Sequence, residues 1–377
     1  MKETKTIEEC FYHIQNGANI KQGVLGGGYP ITRIETISND KFNRDKMGYA
    51  GIENLKSYAS YVLEDGDLLM SHINSVQYLG RTVLYKRQGD EIIIHGMNLL
   101  RLKANGTLIN PIYARYYFSS RTFREQVRKI TKKSVNQASF SVSDLKKIKV
   151  ILPDLTKQKE IAIMLENVND LLFLHKKQIQ QFDDLIKSRF VEMFGDEKTF
   201  DLWPCCTVED VSEVCVGVVI KPTQYYTEKE SGIPAFRSLN IGCMNVKDNE
   251  WVYFTEEGHA KNQKSVIREN DVLVVRSGTP GTACVVSSKF AGHNAVDIII
   301  AHPDEEKVNS VFLAMFTNMP HGMNQIRKRT GGAAQQHFNV GGYKALKLIM
   351  PPLRLQNEFA AFVRQVDKLK FETQKCA

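Results

Sequence analysis

Four segments of this chain concentrate polar and basic side chains that can pair with phosphates and with the edges of bases. The candidates in the first half are Ser71, His72, Asn74, Ser75, Arg81, Lys132, Lys133, Asn136, Gln137 and Ser139. Those in the second half are Arg276, Ser277, Thr279, Lys328, Arg329, Gln335, Gln336 and His337. In the major groove of DNA, arginine is suited to guanine, and asparagine or glutamine to adenine. The segments therefore favour a nucleic-acid interface over the alternative, which is solvated loops with incidental charge.

The framework around these segments occurs twice. The motif Pro-x-Leu-x-x-Gln begins at Pro153 and again at Pro351, 198 residues later, and the segment around Asp67 matches that around Asp271, 204 residues later. Two copies at so long a period indicate a tandem pseudo-repeat and not a solenoid. The polar segments differ between the copies while the framework repeats. If these segments read bases, we expect them to read different bases.

Each copy has the pattern of an α+β domain. Short apolar runs between Gly, Asn and Asp turns predict strands, which lie at 67–72, 82–85, 91–94, 99–102, 271–276, 284–287 and 297–301. A helical stretch is predicted near 111–130. A chain of 377 residues is also too long for one ordinary core. We therefore predict two α+β domains at 1–152 and 197–350, with helical segments at 153–196 and 351–377.

Apolar residues after Pro153 recur at alternating spacings of four and three, which is typical of a long packed helix. The predicted helix runs from Gln158 to Phe194, is about 55 Å long and ends at Gly195. Its seam, with that of the second helix, consists of Ile161, Leu165, Val168, Leu172, Ile179, Phe182, Ile186, Phe359, Val363 and Val366. Antiparallel packing as a coiled coil would fix the spacing between the domains. The alternative is that such helices simply dimerise the protein.

Composition narrows the class of protein. Lysine and arginine exceed aspartate and glutamate by 50 to 42, a formal charge of +8 that is compatible with a polyanionic partner. The sequence contains no phosphate-binding loop, dinucleotide fingerprint or paired-histidine metal motif, and its seven cysteines include no C-x-x-C pair. We therefore predict no catalytic residues and no metal site. No apolar run reaches the roughly 18 to 20 residues of a membrane span, and the expected location is cytoplasmic.

Taken together, these motifs resemble the specificity subunits of type I restriction-modification systems. The resemblance covers essentially the whole chain, and it is strongest at 66–74, 96–100, 153–161 and 188–195. It implies that one domain reads one half of a split, asymmetric double-stranded DNA target and the other domain reads the second half. It also implies that the helices fix the gap between the half-sites and dock two modification subunits, which restriction subunits then join.

The resemblance further implies that this chain binds no cofactor itself, since S-adenosylmethionine, ATP and Mg²⁺ belong to the partner subunits. The second helix departs from the family pattern because it is shorter. Ala377 corresponds to Ile179 of the central helix, so this sequence has no counterpart of residues 180–194 in the second helix. Two alternatives stay open. One is a coiled-coil assembly protein whose globular halves bind proteins, and the other is a truncated DNA-binding specificity subunit that does not assemble a full complex.

Overall fold

The structure is a computed structural model that describes residues 3–20, 27–134, 137–196, 198–199, 202–330 and 337–375. The chain divides into two units, which are Met1–Leu172 (unit 1) and Phe173–Ala377 (unit 2). The division falls inside the long central helix, so each unit includes one part of that helix.

Unit 1 is built on an antiparallel sheet of four strands. Its strands are β1 (Glu3–Thr6), β2 (Phe11–Asn16), β3 (Leu68–Ser71), β4 (Ile73–Asn74), β5 (Thr82–Leu84), β6 (Leu99–Ala104), β7 (Lys132–Lys133), β8 (Ala138–Ser139) and β9 (Lys149–Leu152). Its helices are α1 (Ile7–Cys10), α2 (Pro111–Ser119), α3 (Arg121–Ile130), α4 (Val142–Lys146) and the first part of α5 (Leu155–Phe194). The main sheet has the order β2-β6-β3-β5, and helices α2 and α3 contribute Phe118 and Phe123 to the core that covers it.

Unit 2 repeats this sheet. Its strands are β10 (Cys205–Thr207), β11 (Ser212–Val216), β12 (Tyr226–Thr227), β13 (Ile233–Phe236), β14 (Ile241–Gly242), β15 (Asn245–Val246), β16 (Val252–Phe254), β17 (Val272–Val275), β18 (Ala283–Val285), β19 (Asn294–Ala295), β20 (Ile298–Pro303) and β21 (Lys347–Ile349). Its helices are α6 (Val208–Val211), α7 (Glu256–Lys261), α8 (Ser310–Asn318), α9 (Pro320–Arg329), α10 (Val340–Lys344) and α11 (Leu353–Lys375). The order β11-β20-β17-β18 matches that of unit 1 strand for strand, which confirms the predicted duplication of an α+β framework.

The repeated glutamine of the Pro-x-Leu-x-x-Gln motif fastens each long helix to its own unit. The buried amide of Gln158 accepts a hydrogen bond from Asn110 N and donates to the carbonyls of Leu108 and Pro153, each at 2.9 Å. Gln356 makes the equivalent bonds, accepting from Asn309 N at 2.9 Å and donating to Pro351 O at 2.8 Å. A buried side-chain amide is stable only when such partners are present. The motif is therefore a structural joint.

One prediction of local structure is confirmed with a break, and one was wrong. The stretch 111–130 is helical, but it is divided into α2 and α3 because Ser120 is extended (φ −69°, ψ 152°) and its hydroxyl accepts a hydrogen bond from Phe123 N at the start of α3. Residues 91–94 do not form a strand. Glu91 instead binds Arg44 through its carboxylate, and Ile94 makes isolated bridges to neighbouring segments.

The central helix α5 is confirmed, and it begins three residues before the predicted start. Gly195 follows it with φ +90°, a left-handed conformation that glycine adopts readily at a helix C-terminus. Within unit 2 the last part of α5 runs antiparallel to α11. The rings of Phe190 and Phe359 are 5.4 Å apart, and Lys370 Nζ lies 2.6 Å from Asp183 Oδ1 further along the pair.

The predicted seam residues differ in burial. Ile186, Phe359, Val363 and Val366 are buried in the core of unit 2, and Phe182 packs against that core. Ile161, Leu165 and Ile179 are half-buried. Val168 and Leu172 are exposed, by 47% and 41%. Among the described residues, the seam is best buried near the C-terminal end of α5, where Phe182 and Ile186 belong to the same core as Phe359 of α11.

Candidate nucleic-acid interface

Strand pairing brings the two polar segments of unit 1 together. Strand β8 lies between β4 and β7, with Asn74 opposite Ala138 and Lys132 opposite Ser139. We call this three-stranded sheet, with the flanking Ser75 and Gln137, the unit 1 patch. Because cross-strand partners share a face of a sheet, Lys132 and Ser139 lie on one face, and Lys133 and Asn74 lie on the other. The candidates therefore occupy both faces of one thin ribbon.

Unit 2 has the same pairing in a shorter form. Ser277 bridges His337 in antiparallel fashion, at the position where Ile73 pairs with Ser139 in unit 1. The next backbone bond is also equivalent, since Phe140 N donates to His72 O at 3.2 Å and Phe338 N donates to Arg276 O at 2.9 Å. Both phenylalanines are buried in the cores. We call Arg276, Ser277, Thr279 and His337 the unit 2 patch.

Several candidates of the unit 1 patch are free to contact a ligand. Lys132, Lys133, Ser75 and Gln137 are exposed, and the described residues provide neither lysine with an ion-pair partner. The amide of Asn74 is half-buried and held in place. Its Nδ2 donates to Ser71 Oγ at 3.2 Å, and its Oδ1 accepts from Ser75 N at 2.8 Å. A held amide presents its remaining donor and acceptor in a fixed direction.

Three other candidates of unit 1 are engaged within the protein. The Ser71 side chain is buried and accepts the bond from Asn74. His72 is 8% exposed, and its burial lowers the pKa of the imidazole to about 4, so the ring is neutral at neutral pH. Arg81 lies 3.0 Å from Asp40 Oδ1 and over the ring of Tyr78, at 4.7 Å from its centroid. Their polar groups are therefore already occupied or buried within unit 1.

The unit 2 patch is organised around a buried arginine. Arg276 is 8% exposed, and its guanidinium donates to Asp297 Oδ1 at 2.7 Å and to Phe338 O at 3.2 Å. It also donates to His337 Nε2 at 2.5 Å. The ring proton of His337 therefore lies on Nδ1, which donates to Ser277 Oγ at 2.8 Å. The exposed His337 ring is thus held in a fixed orientation.

The remaining candidates of unit 2 differ in whether their side chains already make hydrogen bonds within the protein. Thr279 and Lys328 are exposed, whereas the guanidinium of Arg329 donates to the carbonyls of Gln325 and Ala345. The candidates Asn136, Gln335 and Gln336 lie outside the described residues. Two side chains that were not among the candidates, Arg124 and Arg128, line a groove next to the unit 1 patch. The signal for them was present in the sequence, as a run of basic residues between 121 and 149.

The cysteine and histidine side chains do not converge on a metal site. Across the described ranges, no three His, Cys, Asp or Glu side chains are grouped so that they could hold a metal ion. Burial raises the pKa of Cys10 to about 11 and that of Cys284 to about 12, so both are protonated thiols at neutral pH. In the part of the chain that the structure describes, no helix is long and apolar enough to cross a membrane.

The two units share one sheet topology, each has a polar patch at the same place in its framework, and each is attached to a long helix. The family described as type I restriction modification DNA specificity domain matches residues 2–182 and 219–377. The chain therefore belongs to this family and is a specificity subunit of the type I restriction-modification class. Subunits of this class recognise DNA and are not themselves catalytic.

Several relatives share this assignment. A specificity subunit assigned to the type I restriction enzyme MjaX of Methanocaldococcus jannaschii is 28% identical over 384 residues, covering 97% of this chain and 87% of the relative. The StySPI specificity subunit of Salmonella potsdam is 25% identical over 359 residues, covering 90% and 75%. The EcoKI specificity subunit of Escherichia coli strain K12 is 25% identical over 199 residues, covering 51% and 42%.

Solved structures share the fold. The crystal structure of the type I S subunit from M. genitalium has a TM-score of 0.57 at 14% identity, covering 100% of this chain and 91% of that one. A chain from a structural study of complex assembly and conformational transition of the type I system has a TM-score of 0.54 at 15% identity, covering 100% and 93%. At these identities the likeness shows a common fold.

Proposed function

We propose that this chain reads a bipartite, asymmetric DNA target, with the unit 1 patch on one half-site and the unit 2 patch on the other. The observation that carries the proposal is the shared backbone pairing of the two patches. The bond from Phe140 N to His72 O recurs as the bond from Phe338 N to Arg276 O, while the polar side chains around it change. A repeated frame with exchanged donors and acceptors suits two different half-sites.

The form of the unit 1 patch supports contact with the major groove. That groove admits a β-ribbon, and base pairs are distinguished there by their donors and acceptors. Asn74 and Ser139 offer both donors and acceptors, and Lys132 and Lys133 supply uncompensated positive charge for phosphates. In unit 2 the oriented His337 and the exposed Thr279 take the corresponding place.

The helices supply the proposed spacing and docking functions. The part of α5 that belongs to unit 1 exposes large apolar side chains, among them Ile163 (62%), Met164 (66%) and Leu171 (55%). Exposed apolar patches of this kind are typical of interaction surfaces. We propose that two modification subunits dock along the helices and that restriction subunits join them. S-adenosylmethionine, ATP and Mg²⁺ are then carried by these partners.

The proposal is tested by producing the chain with the modification subunit from the same genome in a host that lacks this methylation. Base-modification sequencing of the host DNA should then show one motif made of two specific parts separated by a fixed gap. Neither subunit alone should produce it. A contiguous motif, or methylation by this chain alone, would contradict the proposal. Binding to proteins without any preference for DNA would instead support the assembly-protein alternative.

The spacing function has its own test. Insertion of one heptad into α5 between Gln158 and Phe182 lengthens the helix by about 10 Å. Because DNA rises about 3.4 Å per base pair, the gap in the methylated motif should grow by about three base pairs. A matched control replaces seven exposed residues of the same stretch without changing its length. If both variants keep the original gap, the helix does not set the spacing.

A further inference from the structure

A groove of about 490 Å³ opens on the surface of unit 1. One wall is the loop of Ser75, Val76 and Gln77, and the other is helix α3 with Arg124 and Arg128. Chain continuity places the groove against the unit 1 patch, because Ser75 directly follows β4 and Thr131, which also lines the groove, directly precedes β7. A ligand that contacts the unit 1 patch is therefore close enough to contact the groove as well.

The positive charge in this groove is not neutralised from within the protein. Arg124 and Arg128 are exposed, and neither has an ion pair with any described residue. Glu125 is the one acidic residue of α3, and its carboxylate is taken by Arg121 at 2.8 Å. Residues four apart in a helix lie on the same face, so the two guanidinium groups project along one side.

Unit 2 keeps only part of the features that form this groove. The segment that follows β3 in unit 1, which includes β4, spans residues 72–79, whereas the segment that follows β17 in unit 2 spans only 276–280. A backbone hydrogen bond from a glycine closes each segment. Those glycines, Gly80 and Gly281, approach Val127 and Ile326 respectively, which aligns α3 with α9. In that alignment Met323 stands where unit 1 has Arg124, whereas Arg327 stands where unit 1 has Arg128, so unit 2 has one arginine fewer at this place.

We propose that this groove holds the sugar-phosphate backbone of the DNA beside the half-site read by unit 1, with Arg124 and Arg128 donating to phosphate oxygens. Guanidinium groups match phosphate oxygens in a forked geometry. The exposed side chain of Val76 offers an apolar surface to a deoxyribose. Such contacts set position and register and carry no sequence information directly. The inference rests on the proposed function, and it assigns more of the backbone affinity to unit 1.

The test measures how the complex of this chain with its modification subunit binds a duplex that carries the bipartite target, by fluorescence anisotropy between 50 and 200 mM salt. Each lost phosphate contact flattens the slope of log K against log salt by about 0.9. The variant Arg124→Ala/Arg128→Ala should therefore lower the slope by about 1.8 and weaken binding roughly 60-fold at 0.1 M salt. Arg124→Lys/Arg128→Lys should keep most of the slope, because both charges remain.

The matched control is Lys56→Ala/Lys129→Ala, which removes two exposed positive charges from unit 1 outside the groove and should change the slope by less than half a unit. Binding to duplexes with single base changes in each half-site should show unaltered preferences in the groove variant. The inference is overturned if the groove variant binds with the wild-type slope, if the control loses as much, or if base preference changes at one half-site. If the wild-type complex shows no preference for a bipartite target, the proposed function itself fails.

Discussion

The two patches show how one framework holds different polar groups. At the position after the third sheet strand, unit 1 places a neutral buried histidine, His72, and unit 2 places a charged buried arginine, Arg276. The arginine requires a counter-charge and has one in Asp297, whereas the histidine packs against Phe140 with its ring centroid 6.3 Å away. The backbone bond from the following phenylalanine is the same in both. The framework therefore constrains the main chain and leaves the side-chain chemistry open.

Replacement of the buried residue at this position, Arg276 or His72, should produce the largest difference in stability between the two units. Arg276→Ala leaves Asp297 and His337 without their partner and should cost unit 2 about 2 kcal/mol, because hydrogen bonds to charged groups are the stronger kind. His72→Ala removes a neutral side chain and should cost unit 1 about 1 kcal/mol. Hydrogen exchange followed by mass spectrometry resolves the two units. Arg276→Lys is the control, since it keeps the charge without the forked geometry. Equal costs in the two units would show that Arg276 does not organise its patch.

The sequence carried a clear signal for the framework. The repeated Asp67 and Asp271, and the repeated glutamines of the two long helices, predicted equivalent units, and the matching strand orders confirm this. The asparagine caps Asn110 and Asn309, which each accept from backbone N–H groups at a helix start, occupy equivalent places too. The framework was predictable because the same residue types recur at the same places in both copies of the sequence.

The patches were less predictable, for two physical reasons. The strands of the unit 1 patch have two residues each, which is too short for a period of two to be recognised. Arg276 stands before Ser277 and Gly278, a context typical of an exposed loop, and its counter-charge is 21 residues further along the chain. Burial of a charged side chain depends on such distant partners. Sequence alone could therefore group the candidates but could not separate exposed from buried ones.

The exposed lysines of the unit 1 patch and of the end of α9 in unit 2 should also differ in how much they contribute to the salt dependence of DNA binding. Lys132→Ala/Lys133→Ala should lower the slope of log K against log salt by about 1.8, and Lys328→Ala should lower it by about 0.9. The basis is that all three lysines are exposed, while the neighbouring Arg329 already donates to backbone carbonyls. The control, Lys176→Ala/Lys177→Ala on the central helix, removes two exposed charges far from the patches in sequence. If all three variants have the same slope, these patch lysines contribute no more to phosphate binding than the control lysines do.

Substitution of single polar residues in each patch should change base specificity in only one half of the methylated motif. Asn74→Ala should relax specificity in one half of the methylated motif by about tenfold, and Thr279→Ala should relax the other half to a smaller extent. Asn54→Ala is a suitable control, because Asn54 makes a similar turn bond to Lys56 N at 2.9 Å but lies outside the patch. Base-modification sequencing measures the change. Relaxation of both halves by one substitution would mean that the patches do not read separately.

The smallest expected difference between the units is their response to pH. In unit 2, hydrogen bonds to Asp271 and Cys215 raise the pKa of His302 to about 9, above the value near 6.5 of an unfolded histidine. This contribution to stability is complete below about pH 6.5 and is lost as the pH rises through 9. In unit 1 the pKa of His72 is lowered to about 4, so its contribution is complete above pH 6.5 and is lost as the pH falls through 4.

Thermal unfolding of the chain and of His302→Gln and His72→Gln should reveal the two windows. The advantage of the wild type over His302→Gln should shrink between pH 6.5 and 9.5, by a change in Tm on the order of 2 °C. Its advantage over His72→Gln should shrink between pH 6.5 and 4, because glutamine stays neutral while the buried imidazole must take up a proton. Differences in Tm that stay constant across both windows would contradict the pairing of His302 with Asp271 and the buried, neutral state of His72.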